Sequence, residues 1–291
     1  MRIIFFVLFL QLLLTPPSFS SLFIEERVLS PHFLTLLEIC SLKHDGSLED
    51  AIAIIQDAWL QRGKERWEFE ERYTSFKEDI TPELEALGVL SQVEAPLREF
   101  DHALLLGALL HRIRIRLAFL IQEWKRGVRF REILLLAGDR PLNPELENEE
   151  SLLDAGNPDL PFAKEWRFSG RMPMNEAEMM QLVFEQAEMP KEMRELPCTL
   201  ICAPKVHKNG KWVRPGRIET LLAWLDTSPG KGSCLAISNQ PYVGYDDAIG
   251  KRFLPGGFSL YTAGPAADES TSIAIHLDNL ARWLFIMDKR Y

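Results

Sequence analysis

Two short stretches, DHALLLG at residues 101–107 and EILLLAG at residues 132–138, indicate the fold class most directly. Each is an apolar run that ends at a glycine. Between them lies a segment whose apolar residues recur at helical spacing. A strand of a parallel sheet shows such an unbroken apolar run because helices cover both of its faces. The two stretches therefore predict a strand–helix–strand unit.

The same alternation continues to the end of the chain. Further apolar runs at residues 199–203, 234–238 and 258–263 predict strands, and the segments 175–187, 218–225 and 271–287 predict helices. This order predicts an α/β fold, a three-layer Rossmann-like sandwich with a mostly parallel sheet, over residues 101–291. Residues 21–100 contain no strand-like run and predict a helical N-terminal region.

The first 20 residues, MRIIFFVLFLQLLLTPPSFS, have the pattern of a signal peptide. One arginine precedes an apolar run at residues 3–14, which is shorter than the roughly 20 residues that a membrane-spanning helix needs. Three interpretations are open: a cleaved signal peptide, an uncleaved anchor, or a buried helix. The first two predict an exported protein, periplasmic or secreted, that touches a membrane only through an uncleaved N-terminal segment.

Composition excludes several classes of protein. Hydrophobic residues make up 46% and charged residues 26% of the 291 residues, which is ordinary for a globular chain and unlike collagen, a low-complexity segment or a polytopic membrane protein. The 33 Lys and Arg against 42 Asp and Glu give a net charge of −9, which argues against general nucleic-acid binding. Four cysteines are too few for a disulfide scaffold. We expect Cys198 and Cys202, which flank a predicted strand, to be buried apolar residues.

Standard cofactor and catalytic motifs are absent from the sequence. It contains neither the dinucleotide-binding pattern G-x-G-x-x-G after the first strand nor a P-loop, and neither the hydrolase pattern G-x-S-x-G nor H-E-x-x-H. The sequence therefore predicts no metal site, and it identifies neither a cofactor nor a protein partner.

Two connections differ from ordinary loops in length or charge. Residues 142–174 form a long acidic loop, interpreted either as an exposed insertion or as a lid over a site. Residues 205–217 contain five Lys or Arg and no acid, around an Asn209-Gly210 turn that predicts a hairpin. This basic segment has three open interpretations: it grips an anionic ligand, pairs with the acidic loop, or is simply solvated.

Polar residues follow several predicted strands. In an open parallel sheet, ligands bind beyond the carboxyl ends of the strands. Glu176 falls in the first turn of a predicted helix, where it is either a site carboxylate or half of a helix cap. The candidate site residues at the strand ends are Gly107, Asp139, Arg140, Ser238, Asn239, Gln240 and Tyr242.

The order of several motifs resembles a known bacterial family. The motifs are Asp101-x-x-Leu-Leu-Leu-Gly107, a helix that ends in glycine, Ile133-Leu-Leu-Leu-Ala-Gly138, Asn175-Glu176-Ala177-x-Met179, Thr220 at the head of a helix, and Leu235-Ala-Ile-Ser238. Together, over about residues 101–291, they resemble the SanA/ElyC/YdcF-type domain of unknown function. The resemblance implies a Rossmann-like fold, a link to the cell envelope, and Glu176 as a site residue. One branch of the family has been suggested to bind S-adenosylmethionine, but no residue here indicates that ligand.

The chain also departs from the family pattern. The family shows Asn-Thr followed by Asn near its fourth helix, whereas here Glu219-Thr220 is followed by Ala223. The family shows Ser-x-x-His after the next strand, whereas here Ser238 is followed by Asn239-Gln240-Pro241. If the missing histidine is needed for chemistry, the site of this chain is altered or inactive.

Two hypotheses for function follow. In the first, the domain binds a small nucleotide-like or anionic ligand at the strand ends, with or without turnover. Glu176 and Asp139 are then acid–base or metal-coordinating carboxylates. Arg140 is an anion clamp, and the remaining ligand contacts come from Gly107, Gly138, Thr220, Ser238, Asn239, Gln240 and Tyr242. In the second, the protein is a non-catalytic envelope or interaction protein whose ancestral site is degenerate.

Overall fold

A computed structural model of the chain describes residues 22–25, 28–208 and 210–288. The predicted signal peptide at residues 1–20 lies outside these residues. In chain order the strands are β1 (Phe23–Glu25), β2 (Val28–Leu29), β3 (Glu99–Leu106), β4 (Arg129–Gly138), β5 (Cys198–Ala203), β6 (Val206–Lys208), β7 (Lys211–Val213), β8 (Ser233–Ile237) and β9 (Ser259–Ala263). The helices are α1 (Pro31–Ile39), α2 (Leu48–Ala58), α3 (Lys77–Ala86), α4 (Leu110–Lys125), α5 (Glu149–Leu152), α6 (Glu176–Gln186), α7 (Lys191–Arg194), α8 (Arg217–Leu225), α9 (Val243–Phe253) and α10 (Ile273–Asp288).

The central sheet has five strands in the order β5-β4-β3-β8-β9. Every neighbouring pair in it is parallel. The chain builds outward from β3 to β4 and β5, then returns to the other side of β3 to add β8 and β9. The order therefore reverses between β3 and β8, as in doubly wound α/β folds. The predicted α/β class and mostly parallel sheet are confirmed.

Helices cover both faces of the sheet. Alternate residues of β3 and β4, such as Ala103 and Ile133, pack with α4 and α6 in one apolar core. The residues between them, such as Leu104 and Leu134, pack with α8 on the opposite face. Successive side chains of a strand point to opposite faces, so a strand buried on both sides needs the continuous apolar run seen in the sequence.

The N-terminal helices share a core with the end of the chain. Apolar residues of α1, α2 and α3, including Phe33, Ile55 and Leu84, pack against α10 through Leu280 and Trp283. The two single 3₁₀ turns at Arg66–Glu68 and Thr74–Phe76 carry the chain between α2 and α3. Residues 22–98 are thus attached to the α/β part by a continuous apolar core, which brings the Arg66 turn to the sheet.

Some local predictions are confirmed, and the cysteine prediction is wrong. Strands β6 and β7 pair antiparallel, as expected for the predicted hairpin, and Asn209 of its turn lies outside the described residues. Cys198 and Cys202, expected to be buried, are exposed because β5 is an edge strand. Among the described residues, no helix is both long enough and apolar enough to cross a membrane.

The contact between α9 and α10 gives a test of the packing. A Cβ atom on Gly244 would lie 2.5 Å from the indole ring of Trp283, which is 1% exposed and has no room to move. We expect Gly244→Ala to lower the free energy of unfolding by about 1–3 kcal/mol, as overpacking does. Urea denaturation measures the change. Gly256→Ala is the matched control, because nothing lies within 4 Å of its added Cβ. Equal stability of the two variants would contradict the close contact between Gly244 and Trp283.

Candidate functional site

A cavity of about 280 Å³ lies at the carboxyl ends of β3 and β4, where the strand order reverses toward β8. The N-terminal ends of α4, α6, α8 and α9 all contribute to its wall. It is lined by Glu65, Arg66, Gly107, Ala108, Leu109, Arg112, Arg116, Leu136, Gly138, Arg140, Glu176, Arg214, Pro215, Gly216, Arg217, Thr220, Tyr242, Tyr245 and Asp246. This is the place at which doubly wound sheets bind their ligands. We call it the arginine cavity.

Positive charge dominates the lining of the arginine cavity. It contains six arginines and three carboxylates, which is an excess of three positive charges in a chain whose net charge is −9. The N-terminal ends of helices add a further positive potential. The arginines are Arg66, Arg112, Arg116, Arg140, Arg214 and Arg217.

Four of the arginines are paired with carboxylates, and the longest of these contacts joins Arg66 to Asp278 at 3.8 Å. Arg217 Nε donates to Asp246 Oδ1 at 2.9 Å, and Ser238 Oγ donates to the other oxygen of Asp246 at 2.6 Å. Arg214 contacts Glu65 at 3.1 Å, which joins the basic segment to the N-terminal region. Arg140 is paired with a carboxylate outside the lining, as described next.

Glu147, from the acidic loop, holds Arg140 in place. The two NH groups of the guanidinium donate to the two oxygens of Glu147 at 2.8 and 2.9 Å. Glu147 also accepts the backbone N–H of Leu110 at 3.1 Å, which is the first residue of α4. The Glu147 side chain is completely buried. The acidic loop therefore contributes the buried carboxylate that holds Arg140 and the start of α4 together.

Arg112 and Arg116 differ from the other four arginines because neither forms an ion pair with a carboxylate of the described residues. Among the described residues, no carboxylate oxygen lies within 4.0 Å of either guanidinium. Arg116 donates instead to Asn239 Oδ1 at 2.8 Å and to the carbonyl oxygens of Leu106 and Gly107 at 2.8 and 3.0 Å. Burial, together with repulsion from Arg217, holds the pKa of Arg116 well below its usual value. A bound anion would relieve this uncompensated charge.

Tyr242 forms part of the wall between two arginines. The guanidinium carbons of Arg66 and Arg112 lie 4.4 and 4.8 Å from the centroid of its ring, within cation–π range. The Tyr242 hydroxyl is buried and has no hydrogen-bond partner among the described residues. The aromatic ring thus holds Arg66 and Arg112 side by side, although both carry positive charge.

Glu176 projects from the first position of α6 between the ends of β3 and β4. The helix is capped by Asn175, whose side chain accepts the N–H of Glu178, so Glu176 is free of the capping role. Its contacts are long: the N–H of Gly138 at 3.4 Å and Nε of Arg140 at 3.6 Å, both to Oε2. A Cβ atom at Gly107 would lie 2.5 Å from Oε1 and 2.9 Å from the backbone carbonyl oxygen of Leu136, which cannot move aside as a side chain can, so only glycine leaves room there.

Most sequence-predicted ligand residues lie at the cavity, in two layers. Gly107, Gly138, Arg140, Glu176, Thr220 and Tyr242 line it. Ser238, Asn239 and Gln240 are buried beneath the lining and act through other groups. Ser238 holds Asp246, Asn239 holds Arg116, and the Gln240 amide donates to the carbonyl oxygens of Gly88 and Ser91. These three residues are absent from the cavity lining, so their direct contact with a ligand stays a prediction.

Asp139 does not form a catalytic pair with Glu176 at the cavity. It is absent from the lining, and its backbone N–H donates to Ala203 O at 2.8 Å, which continues the pairing of β4 with β5. Its charge raises the pKa of Cys202 on β5, although burial of the thiol is the larger cause. Of the two predicted carboxylates, Glu176 alone is in the lining of the cavity.

The sequence analysis missed Arg66, Arg112, Arg116 and Asp246. Arg112 and Arg116 are four residues apart, and this spacing places them on one face of α4. Two arginines within an apolar helix that follows the first strand were a readable signal. Arg66 gave no such signal, because it reaches the cavity only through the packing of the N-terminal helices on α10.

The described residues contain no group of three or more His, Cys, Asp or Glu side chains that could hold a metal ion. The polar groups of the arginine cavity are instead guanidiniums, which suit an anion. Comparison of the chain with protein-family models, with curated proteins and with solved structures finds no match.

The burial of Glu176 predicts a pH-dependent effect on stability. Burial raises its pKa, and Arg140 and Arg217 only partly oppose this. A carboxyl whose pKa is higher in the folded chain destabilises the fold once the pH exceeds the unfolded value of about 4.3. We therefore expect Glu176→Gln to raise the melting temperature at pH 7–8, by roughly 2–4 °C for each 1 kcal/mol gained. Below about pH 4 the gain should vanish. Thermal unfolding followed by circular dichroism across this pH range measures the effect.

Glu178→Gln is the matched control on the same helix. A hydrogen bond from the N–H of Met174 and one from Arg171 lower the pKa of Glu178, which is the opposite direction. The control should therefore show no gain in melting temperature at neutral pH. A gain of equal size in both variants would show that removing any acid from this helix is stabilising, and would contradict the role of burial at Glu176.

Proposed function

We propose that this protein binds a small phosphorylated molecule in the arginine cavity, with the phosphate near the ends of β3 and β4. The observation that carries the proposal is the excess of arginines in the lining, two of which have no carboxylate partner within 4.0 Å among the described residues. Guanidiniums donate paired hydrogen bonds that match the oxygens of a phosphate group.

The surroundings of the arginines support the same ligand class. The first turn of α4 follows the central strand β3 through Gly107, and the N-terminus of α8 supplies Gly216 and Arg217. Phosphates bind at helix N-termini because the backbone N–H groups and the helix dipole both favour negative charge. The position at the reversal of strand order is the usual ligand position of this architecture.

The size of the cavity favours a small ligand. Its volume of about 280 Å³ is slightly below the roughly 300–1,000 Å³ typical of ligand pockets. A sugar phosphate or a mononucleotide portion fits this range better than a dinucleotide. The absence of the dinucleotide-binding glycine pattern from the sequence agrees with this choice.

The cellular setting is part of the proposal. The signal-like residues 1–20 and the resemblance to the SanA/ElyC/YdcF-type domain support an exported protein with a role at the cell envelope. The activity that we propose is binding; turnover is not included, because Asp139 lies outside the cavity and Asp246 is engaged by Arg217.

Calorimetric titration tests the proposal with the purified protein. The ligands are inorganic phosphate, pyrophosphate, sugar phosphates and nucleoside monophosphates, each compared with its unphosphorylated counterpart. We expect binding only of the phosphorylated members. Arg112→Gln should weaken that binding roughly 10- to 100-fold, since a hydrogen bond to a charged group contributes about 1.5–3 kcal/mol.

Arg131→Gln is the control for a general loss of positive charge. Arg131 is at the opposite end of β4, pairs with Asp101 at 3.2 Å and has a side chain that is 84% exposed. Its replacement should leave binding unchanged. Failure of every phosphorylated ligand to bind, or an equal loss in the two variants, would overturn the proposed function.

A further inference from the structure

One group in the arginine cavity opposes the binding of an anion. Glu176 places a carboxyl group between the strand-end glycines Gly107 and Gly138, in a wall that is otherwise cationic. Its oxygen Oε1 has no hydrogen-bond partner among the described residues, and its oxygen Oε2 has only the two long contacts already given.

An ionised carboxylate can only accept hydrogen bonds. Beside a bound oxyanion it is repulsive unless a proton lies between the two groups. A phosphate group can supply that proton, since its second pKa is about 6. A sulfate group is fully ionised in the same pH range, so it cannot supply a proton.

We propose that Glu176 is the specificity-determining residue of the cavity, which selects oxyanions that carry an ionisable proton, phosphates over sulfates. This inference rests on the proposed function. In the complex, one proton is shared between the Glu176 carboxyl and an oxygen of the phosphate. The arginines of the wall bind the remaining oxygens.

The groups around Glu176 are consistent with such a shared proton. Burial raises the pKa of this carboxyl, so it holds a proton more readily than an exposed glutamate does. Arg140 and Arg217 lower that pKa, and Glu147 raises it slightly. Several charged and titratable groups face Glu176 or share its cavity. They are Arg140 after β4, Arg217 of α8, Glu147 of the acidic loop, Cys202 of β5, Arg112 and Arg116 of α4, Glu65 and Arg66 of the N-terminal region, Arg214 before α8, and Tyr242, Tyr245 and Asp246 at the start of α9.

Equilibrium dialysis tests the inference with radiolabelled orthophosphate at constant ionic strength. Unlabelled phosphate or sulfate is added as competitor to the full chain at pH 7. We expect sulfate to compete roughly 10- to 100-fold less well than phosphate, because it leaves the carboxylate facing an unprotonated oxygen. In Glu176→Gln the amide donates a hydrogen bond permanently. The two competitors should then differ by less than about threefold, corresponding to under about 0.7 kcal/mol.

The pH dependence separates this role from a merely structural one. Sulfate bound to the wild-type chain requires a proton on Glu176, so its affinity should rise as the pH falls from 8 to 5. In Glu176→Gln the affinity for sulfate should not change over this range. Glu178→Gln, on the same helix but outside the cavity lining, should behave like the wild type in both respects.

Each outcome of the dialysis experiment is informative. Equal competition by phosphate and sulfate in the wild type, or a preference for phosphate that persists in Glu176→Gln, would overturn the inference while leaving anion binding intact. If labelled orthophosphate does not bind at all, the inference fails, whereas the proposed function is decided separately by the calorimetric titration with the other phosphorylated ligands. Thermal unfolding of each variant confirms that the compared proteins are folded.

Discussion

The fully buried guanidinium of Arg116 is the constraint on which the site depends. Removing an ionised group from water is costly unless its hydrogen bonds are satisfied. Here the carbonyl oxygens of Leu106 and Gly107, at the end of β3, and the side chain of Asn239, after β8, accept them. One rigid planar group therefore joins the end of β3 to the segment after β8, at the point where the strand order reverses. Together with the five other arginines of the lining, it gives the cavity its positive charge.

The layout of the sheet was accessible from sequence, whereas the charge of the cavity was only partly so. Continuous apolar runs identify strands that are buried on both faces, and glycines mark their ends. The same reasoning located Gly107, Gly138, Arg140 and Glu176 at one edge of the sheet, where all four now line the cavity. Gly107, Gly138 and Arg140 were predictable because they lie at or directly after the end of a strand, and Glu176 because it begins a helix.

Other parts of the site depend on long-range packing, which no local pattern encodes. The Arg66 turn reaches the cavity because α1–α3 share a core with α10, at the far end of the chain. Asp139 directly follows β4 in the sequence but is absent from the cavity lining. Cys198 and Cys202 were expected to be buried, but strand position within a sheet, edge or centre, cannot be inferred from an apolar run alone.

The acidic loop shows why an acidic chain can maintain a cationic site. Neither of its two interpretations, exposed insertion or lid, describes Glu147, which is buried and bonded to Arg140 and to the N–H of Leu110. The Glu147 carboxylate neutralises the charge of Arg140 and accepts the N–H of Leu110 at the start of α4. It therefore holds Arg140 and α4 in position although Glu147 itself does not line the cavity. Most other acids of the loop are exposed, where solvent screens their fields. The net charge of −9 therefore acts mainly at the surface, while the short-range field inside the cavity is set by the guanidiniums that line it.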